Sequence, residues 1–377
     1  MTLRLCSFTQ DSVARVGLVL ADEVTDLARC DAGFATDLRL LLASAGELHE
    51  RILRASARAP RLALSSIRLE APVRSPRKFL GLGMSYRSHA AEIRRRGGQV
   101  PAHQHWFNKQ VTAVSGPYDP IHLPRVSSRL DYAGELAIVI GKGGRHIRRD
   151  DIHEAIAGFM ICNDVSVRDR QRRAPTATLG KSFDTHGPTG PWLTTVDEIV
   201  DAGRLGIRTW VDGELRQNGN TAELLFNFGE MIEELSTVFT LEPGDILATG
   251  TPAGVGQYRD PPSFLTVGQT VRIAIEGLGQ IENRVIAEPE APSSVRHPSG
   301  QACLYCHVGS DGNFPGVSGR RPGSAHRRAL PASQAGARRQ EPPRLRGGSV
   351  CNRSIYGLWT TGDPMSFYGP PLGRGSW

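Results

Sequence analysis

Several short stretches, far apart along a chain of 377 residues, hold side chains whose types could do chemistry together. In "DYAGELAIVIGKG" Glu135 stands just before an apolar run, and in "FMICNDVSVRD" Asp164 follows another. A carboxylate at the end of a buried run must pair with a cation, and carboxylate oxygens are the usual ligands of hard divalent ions. Asp164 therefore reads either as a metal ligand or as part of a structural ion-pair turn with Arg168 and Asp169. Asp131, Ala133, Glu135, Ala137 and Val139 alternate along the first stretch, so they are expected to share one face of a strand. A third acid at position 133 would complete a cluster; an alanine occupies it.

In "GLGMSYRSHAAE" His89 and Glu92 are three apart, hence on one face of a helix, where the carboxylate can orient an imidazole that takes a proton from water. "LGKSFDTHGPTGPW" puts Lys181 after a glycine, without an acid immediately beside it; a lysine near such a site can stabilise an enolate or polarise a carbonyl. "ATGTPAGVG" places Gly250, Thr251 and several free N–H groups in a glycine-rich loop suited to a small carboxylate. Taken singly, each has an ordinary alternative: a solvated helix face, a surface lysine, a surface turn. No G-x-x-x-x-G-K-[ST] and no G-x-G-x-x-G opening a helix occurs, which argues against nucleotide binding. "CLYCH", residues 303–307, fits the haem-attachment spacing, but it falls in a low-complexity segment of a chain without an export signal and reads as chance.

The elements that must position these groups are short. Residues 1–70 read as a small α+β module, with a hairpin around "ADE" and one or two amphipathic helices in "ATDLRLLLASAGELHERILRASARA". Residues 71–290 read as strand-rich with short helices: strands in "KFLGLG", "ELAIVIGKG" and "FMICNDVSV", a helix over "SYRSHAAEIRRR" stopped by Gly97 and Gly98, a hairpin turning at Asp212-Gly213, an amphipathic helix in "FNFGEMIEELSTVF" and a closing hairpin. The lack of a regular alternation of strands and long helices argues against a doubly wound parallel sheet, and a mixed or antiparallel β roll is expected.

Charge and cysteines narrow the partners. The formal net charge is +7, yet residues 291–377 hold 11 Arg, no Lys and 3 acids, which leaves 34 basic and 35 acidic residues before them. The folded part is close to neutral, so no nucleic-acid partner is expected. The same segment holds 10 of the 25 prolines and no sustained periodicity, which suits a disordered or non-native extension. Six cysteines do not make a secreted disulfide framework. With no apolar run of membrane-spanning length and no signal-peptide pattern in "MTLRLCSFTQ", a cytoplasmic protein without a membrane partner is expected.

In this order, "GLGMSYRSHAAE", "DYAGELAIVIGKG", "CNDVSVRDRQ", "GKSFDTHGPTGPW", "RQNGNTAELLFNFGEMIEELS" and "LEPGDILATGTPAGVG" resemble the fumarylacetoacetate hydrolase family over about residues 79–287. The resemblance implies a β-rich roll, a homodimer, and one divalent cation per subunit, Mg²⁺ or Mn²⁺, held by two Glu of one strand and an Asp of the next. Glu135 and Asp164 match the second Glu and the Asp; the first Glu falls on Ala133. His89 and Glu92 match the water-activating pair, Lys181 the active-site lysine, Gln171 a polar group facing substrate and Thr251 a carboxylate-binding threonine. Tyr86, Arg168 and Gly250 are implied substrate contacts, and Ser85 stands where many bacterial members carry Asn. The implied reaction is hydrolysis of a carbon–carbon bond in an acylpyruvate or β-diketo acid through a stabilised enolate. Isomerisation or decarboxylation on the same site, or a catalytically impaired member, is the alternative. A water is expected to fill the place of the lost ligand more readily than Asp131 could.

Overall fold

The apolar run after Glu135 lies in the middle of a sheet covered on both sides. A computed structural model describes residues 3–44, 48–57 and 59–290; the segment 291–377, with its C-x-x-C-H stretch, lies outside the described residues. Strand Gly134–Ile140 is buried throughout. Leu136, Ile138 and Ile140 enter one core cluster, while Ala137 and Val139 enter another. Burial on both faces explains why this strand reads as a continuous hydrophobic run rather than as an alternation.

It pairs antiparallel with Ile156–Asn163 on one side and Ile246–Ala248 on the other. Beyond Ile246–Ala248 come Phe79–Gly83, parallel to it, and then His105–Lys109, antiparallel. Beyond Ile156–Asn163 come Gly187–Thr195 and the N-terminal strands Arg4–Gln10, Val13–Leu20, Glu23–Asp26 and Arg61–Ala63. Segments 1–70 and 71–290 thus share one mixed sheet, twelve-stranded among the described residues. The N-terminal hairpin turns at Ala21-Asp22, and helices Leu38–Ala43 and Leu48–Ser56 follow it, the first capped by the Asp37 carboxylate.

A five-stranded sheet is built from the two expected hairpins, Gly206–Val211 with Glu214–Asn220 and Thr270–Ile275 with Gly279–Ala287, together with Ile121–Leu123. The Asp212-Gly213 turn has φ of +50° and +82°, which the expected Asp-Gly hairpin chemistry accommodates. The two sheets touch where Gly134 stands: a Cβ there would lie 2.3 Å from Thr209 Oγ1. The β roll expected from sequence is therefore present as a mixed, β-rich α+β fold. Among the described residues no helix is long and apolar enough to cross a membrane.

One expectation needs correction. Residues 131–139 do not form one strand with a common face: Leu130–Asp131 pairs with Ser166–Val167, the chain breaks over Tyr132 and Ala133, and the long strand begins at Gly134. The break follows from Asp131, whose buried carboxylate accepts the N–H groups of Tyr132, Gly256 and Gln257 at 2.8–3.0 Å and Arg168 Nε at 2.8 Å. With those partners Asp131 is fixed away from strand continuation.

Candidate active site

Sheet register brings the two candidate ligands together. Glu135 lies opposite Cys162 in the antiparallel pair, so Asp164, two residues on, shares its face as a diagonal neighbour. Carrying the register one pair past Gly134–Asn163 sets Ala133 opposite Asp164, and the Asp164 N–H donates to the Ala133 carbonyl at 2.9 Å. On the other side, Ala137 pairs with Ala248, which brings Gly250 beside Glu135; the Gly250 N–H donates to Glu135 Oε2 at 2.8 Å.

Two lysines meet this pair of carboxylates. Lys109, at the end of strand His105–Lys109, donates through Nζ to Asp164 Oδ1 at 2.8 Å and to the Val165 carbonyl at 3.2 Å. Lys181, at the end of the short helix Thr178–Lys181, binds Asp164 Oδ2, and its Nζ lies 4.3 Å from the centre of the Phe107 ring. That helix sits close because of Gly180, where a Cβ would come within 2.2 Å of Gln171 N. All four side chains are buried.

Burial, reinforced by the Asp164 charge, pushes the Glu135 carboxyl up to about 8, although Lys181, the Gly250 N–H and Lys109 oppose the shift. Burial acts on Asp164 in the same direction, but its two ammonium partners outweigh it and hold the acid at about 2. Lys181 is lowered, mainly by burial; Asp164 opposes that shift and the Arg168 and Lys109 charges add to it. Two neighbouring carboxyls with affinities driven apart suit proton transfer near neutrality.

The expected dyad is present. His89 Nδ1 lies 2.9 Å from Glu92 Oε2 on the helix Arg87–Arg95, which ends where expected, with the Gly97 and Gly98 N–H groups bonded to the carbonyls of Arg94 and Ile93. Glu92 Oε1 accepts the Gly254 N–H at 3.0 Å, and the Tyr258 ring meets the His89 ring edge-on at 5.6 Å. One segment, residues 250–258, thus contacts Glu135, Glu92, His89 and Asp131. Its glycines are required: at Gly250, φ +93°, a Cβ would lie 1.8 Å from Ser85 Oγ, and at Gly254, φ +109°, it would lie 2.0 Å from the Arg216 carbonyl.

The remaining expected residues occupy the same region in more specific ways. Arg168 is buried and paired with Asp131, and its Nη1 donates to Gln171 Oε1 at 3.0 Å. Thr251 does not present a free hydroxyl: it donates to the Gly134 carbonyl at 2.8 Å and accepts from Gln217 Nε2 at 2.7 Å. Tyr86 is fully buried, and burial, with the Glu135 charge added, raises its phenol well above the usual value. Ser85 donates to the Thr249 carbonyl.

Two residues were not singled out from sequence. Lys109 ends an ordinary-looking run, "HWFNK", and only its place two residues after Phe107, on the same face of the strand, hinted that it could point inward. Gln217 bridges the Gly134 N–H, Thr251 and the Pro252 carbonyl, and is indistinguishable in sequence from the exposed polar residues of its hairpin.

Comparison with known proteins follows the same lines. Residues 78–286 match the family described as fumarylacetoacetate (FAA) hydrolase C-terminal. The chain belongs to the fumarylacetoacetate hydrolase family. It is similar to the mitochondrial oxaloacetate tautomerase fahd2 of Xenopus laevis, 39% identical over 297 residues that cover 76% of this chain and 91% of the relative. It is also similar to the oxaloacetate tautomerase YisK of Bacillus subtilis, 42% identical over 59% of this chain and 74% of the relative. Among solved structures, maleylpyruvate hydrolase from Sphingobium sp. SYK-6, in complex with manganese(II) and pyruvate, is 32% identical, with a TM-score of 0.65 over 76% of this chain and 100% of that one.

That relative carries a divalent metal, and the family resemblance led to the expectation of one here. The donors of this chain do not fit it. Position 133 offers a methyl group, both oxygens of Asp164 are bonded to ammonium groups, and one oxygen of Glu135 is bonded to Gly250. Among the described residues no three His, Cys, Asp or Glu side chains converge as metal ligands.

Proposed function

We propose that this fumarylacetoacetate hydrolase-family chain catalyses keto–enol tautomerisation of a small 2-oxo dicarboxylic acid such as oxaloacetate, through an enolate stabilised by lysine. The observation that carries the reading is the pair of buried lysines on Asp164 next to Glu135, in a chain similar to two oxaloacetate tautomerases. With Nδ1 held by Glu92, His89 keeps Nε2 for a proton. In this reading His89 removes a proton from the carbon next to the carbonyl. The C–H electron pair becomes the C=C bond, and the carbonyl oxygen becomes an enolate beside the Lys181 ammonium. Protonation of that oxygen gives the enol, and the same steps reversed give the keto acid. Arg168, held by Asp131, and Gln171 bind a substrate carboxylate. The family's divalent cation, Mg²⁺ or Mn²⁺ by expectation, has no role in these steps because the donor set does not suit it.

The second reading is the hydrolysis of an acylpyruvate or β-diketo acid expected from sequence. The same dyad favours it, since His89 could deprotonate water for attack on the distal carbonyl, as does similarity to a maleylpyruvate hydrolase. Ultraviolet absorbance of the conjugated enol separates the two. Purified protein is expected to speed the approach of oxaloacetate to its keto–enol equilibrium with no net loss of the acid by NMR. Equal rates with and without protein sink the tautomerase reading, and release of pyruvate with a free acid from an acylpyruvate favours the second. The reading also includes a homodimer in a reducing cytoplasm, consistent with free Cys6, Cys30 and Cys162; light scattering tests the dimer.

A further inference from the structure

Buried charged groups crowd this site: Glu135 and Asp164, Lys109 and Lys181, the pair Asp131 and Arg168, and Glu92 beside His89. Beside the carboxyls of Glu135 and Asp164, the two ammonium groups supply the two positive charges that a divalent ion would bring. A dication added beside these ammonium groups would bring further positive charge into a buried place, which a carboxylate at 133 would have partly offset. It would also have to share Asp164 with both lysines, since each oxygen of that carboxylate already accepts from an ammonium group. Asp131 cannot substitute, because three backbone N–H groups and Arg168 hold it; Glu92 is held by His89 and Gly254.

The ammonium groups retain donors for substrate. An ammonium carries three N–H groups. Lys109 directs two at Asp164 and Val165, while Lys181 directs one at Asp164 and rests over the Phe107 ring. The remaining N–H groups can bind the oxygen that gains charge when a 2-oxo acid is converted to its enolate.

We infer that in this chain Lys109 and Lys181 together take the place of the family's divalent cation, so that the site binds and works without a metal. This rests on the 2-oxo acid reading above for what the ammonium groups act upon, but not for the claim about the ion. The test uses the full chain stripped with a chelator and titrated with Mn²⁺, followed by electron paramagnetic resonance of free Mn²⁺ and by calorimetry. Wild-type protein is expected to leave Mn²⁺ free into the millimolar range, and turnover is expected to be unchanged by chelator. Ala133→Glu, checked for folding by circular dichroism, is expected to bind one Mn²⁺ per chain at least about 10 to 100-fold more tightly, by the scale of ligand-sphere losses in metal sites. Stoichiometric uptake of Mn²⁺ by the wild type at micromolar concentration overturns the inference, as does turnover restored by added Mn²⁺ or a folded Ala133→Glu that gains no affinity. Should Ala133→Glu not fold, the wild-type titration decides alone. Absence of any turnover, with Mn²⁺ binding as expected, would defeat the functional reading and leave the inference about the ion intact.

Discussion

Asp131 and Asp164 are both fully buried aspartates, each facing basic side chains, yet their surroundings give them different work. Around Asp131, three of the four donors are backbone N–H groups, from Tyr132, Gly256 and Gln257, and the fourth is the planar guanidinium of Arg168. Such donors move only if the chain moves, so Asp131 fixes where the first sheet strand breaks and where the loop returns. Around Asp164 the side-chain donors are two ammonium groups on flexible stems, each with N–H groups to spare. A buried acid satisfied by backbone belongs to the architecture; one satisfied by lysines keeps cations beside it, which the proposed function assigns to a substrate oxygen.

That contrast can be broken in three ways. The largest effect is expected from Asp131→Ala, which leaves Arg168 buried without its counter-charge and two loop N–H groups without an acceptor. Removing one partner of a buried pair typically costs about 3–5 kcal/mol, read as a fall in the urea midpoint. An unmoved midpoint would mean that Asp131 is not architectural. Next, Lys181→Met should reduce kcat by about 10²–10³-fold, the scale for losing one donor to a developing oxyanion. Its stability loss should be smaller than that of Asp131→Ala, because Lys109 still pairs Asp164; full turnover would show that Lys181 only neutralises its aspartate. The smallest effect is assigned to Thr251→Val, which unties the Gly134 carbonyl and one Gln217 bond and should cost roughly 1–3 kcal/mol of stability. A raised KM with an unchanged urea midpoint would instead give Thr251 the substrate-binding role implied by the family resemblance.

Much of this was legible in the sequence because its cues are local. The three-residue spacing of His89 and Glu92, the apolar runs that lead to Glu135 and Asp164 and the Asp212-Gly213 turn all act within a few residues. What escaped depends on partners far along the chain. Lys109 reaches Asp164 across 55 residues, and Gln217 reaches Gly134 across 83. The strand break at Tyr132 was hidden for the same reason: alternation of residue types predicts a continuous face, whereas the acceptors that end it bind N–H groups 125 residues later. Pairing order within a sheet of twelve strands is set by packing that no single stretch encodes.

The segment 250–258 carries a consequence for how the site tolerates change. The same nine residues hold the Glu135 carboxyl through Gly250, Glu92, the partner of His89, through Gly254 and Asp131 through Gly256 and Gln257. With Gly250 and Gly254 pressed against Ser85 and the Arg216 carbonyl, this stretch has little room to yield piece by piece. A change anywhere in this stretch is therefore expected to disturb Glu135, the His89–Glu92 pair and Asp131 together rather than one at a time.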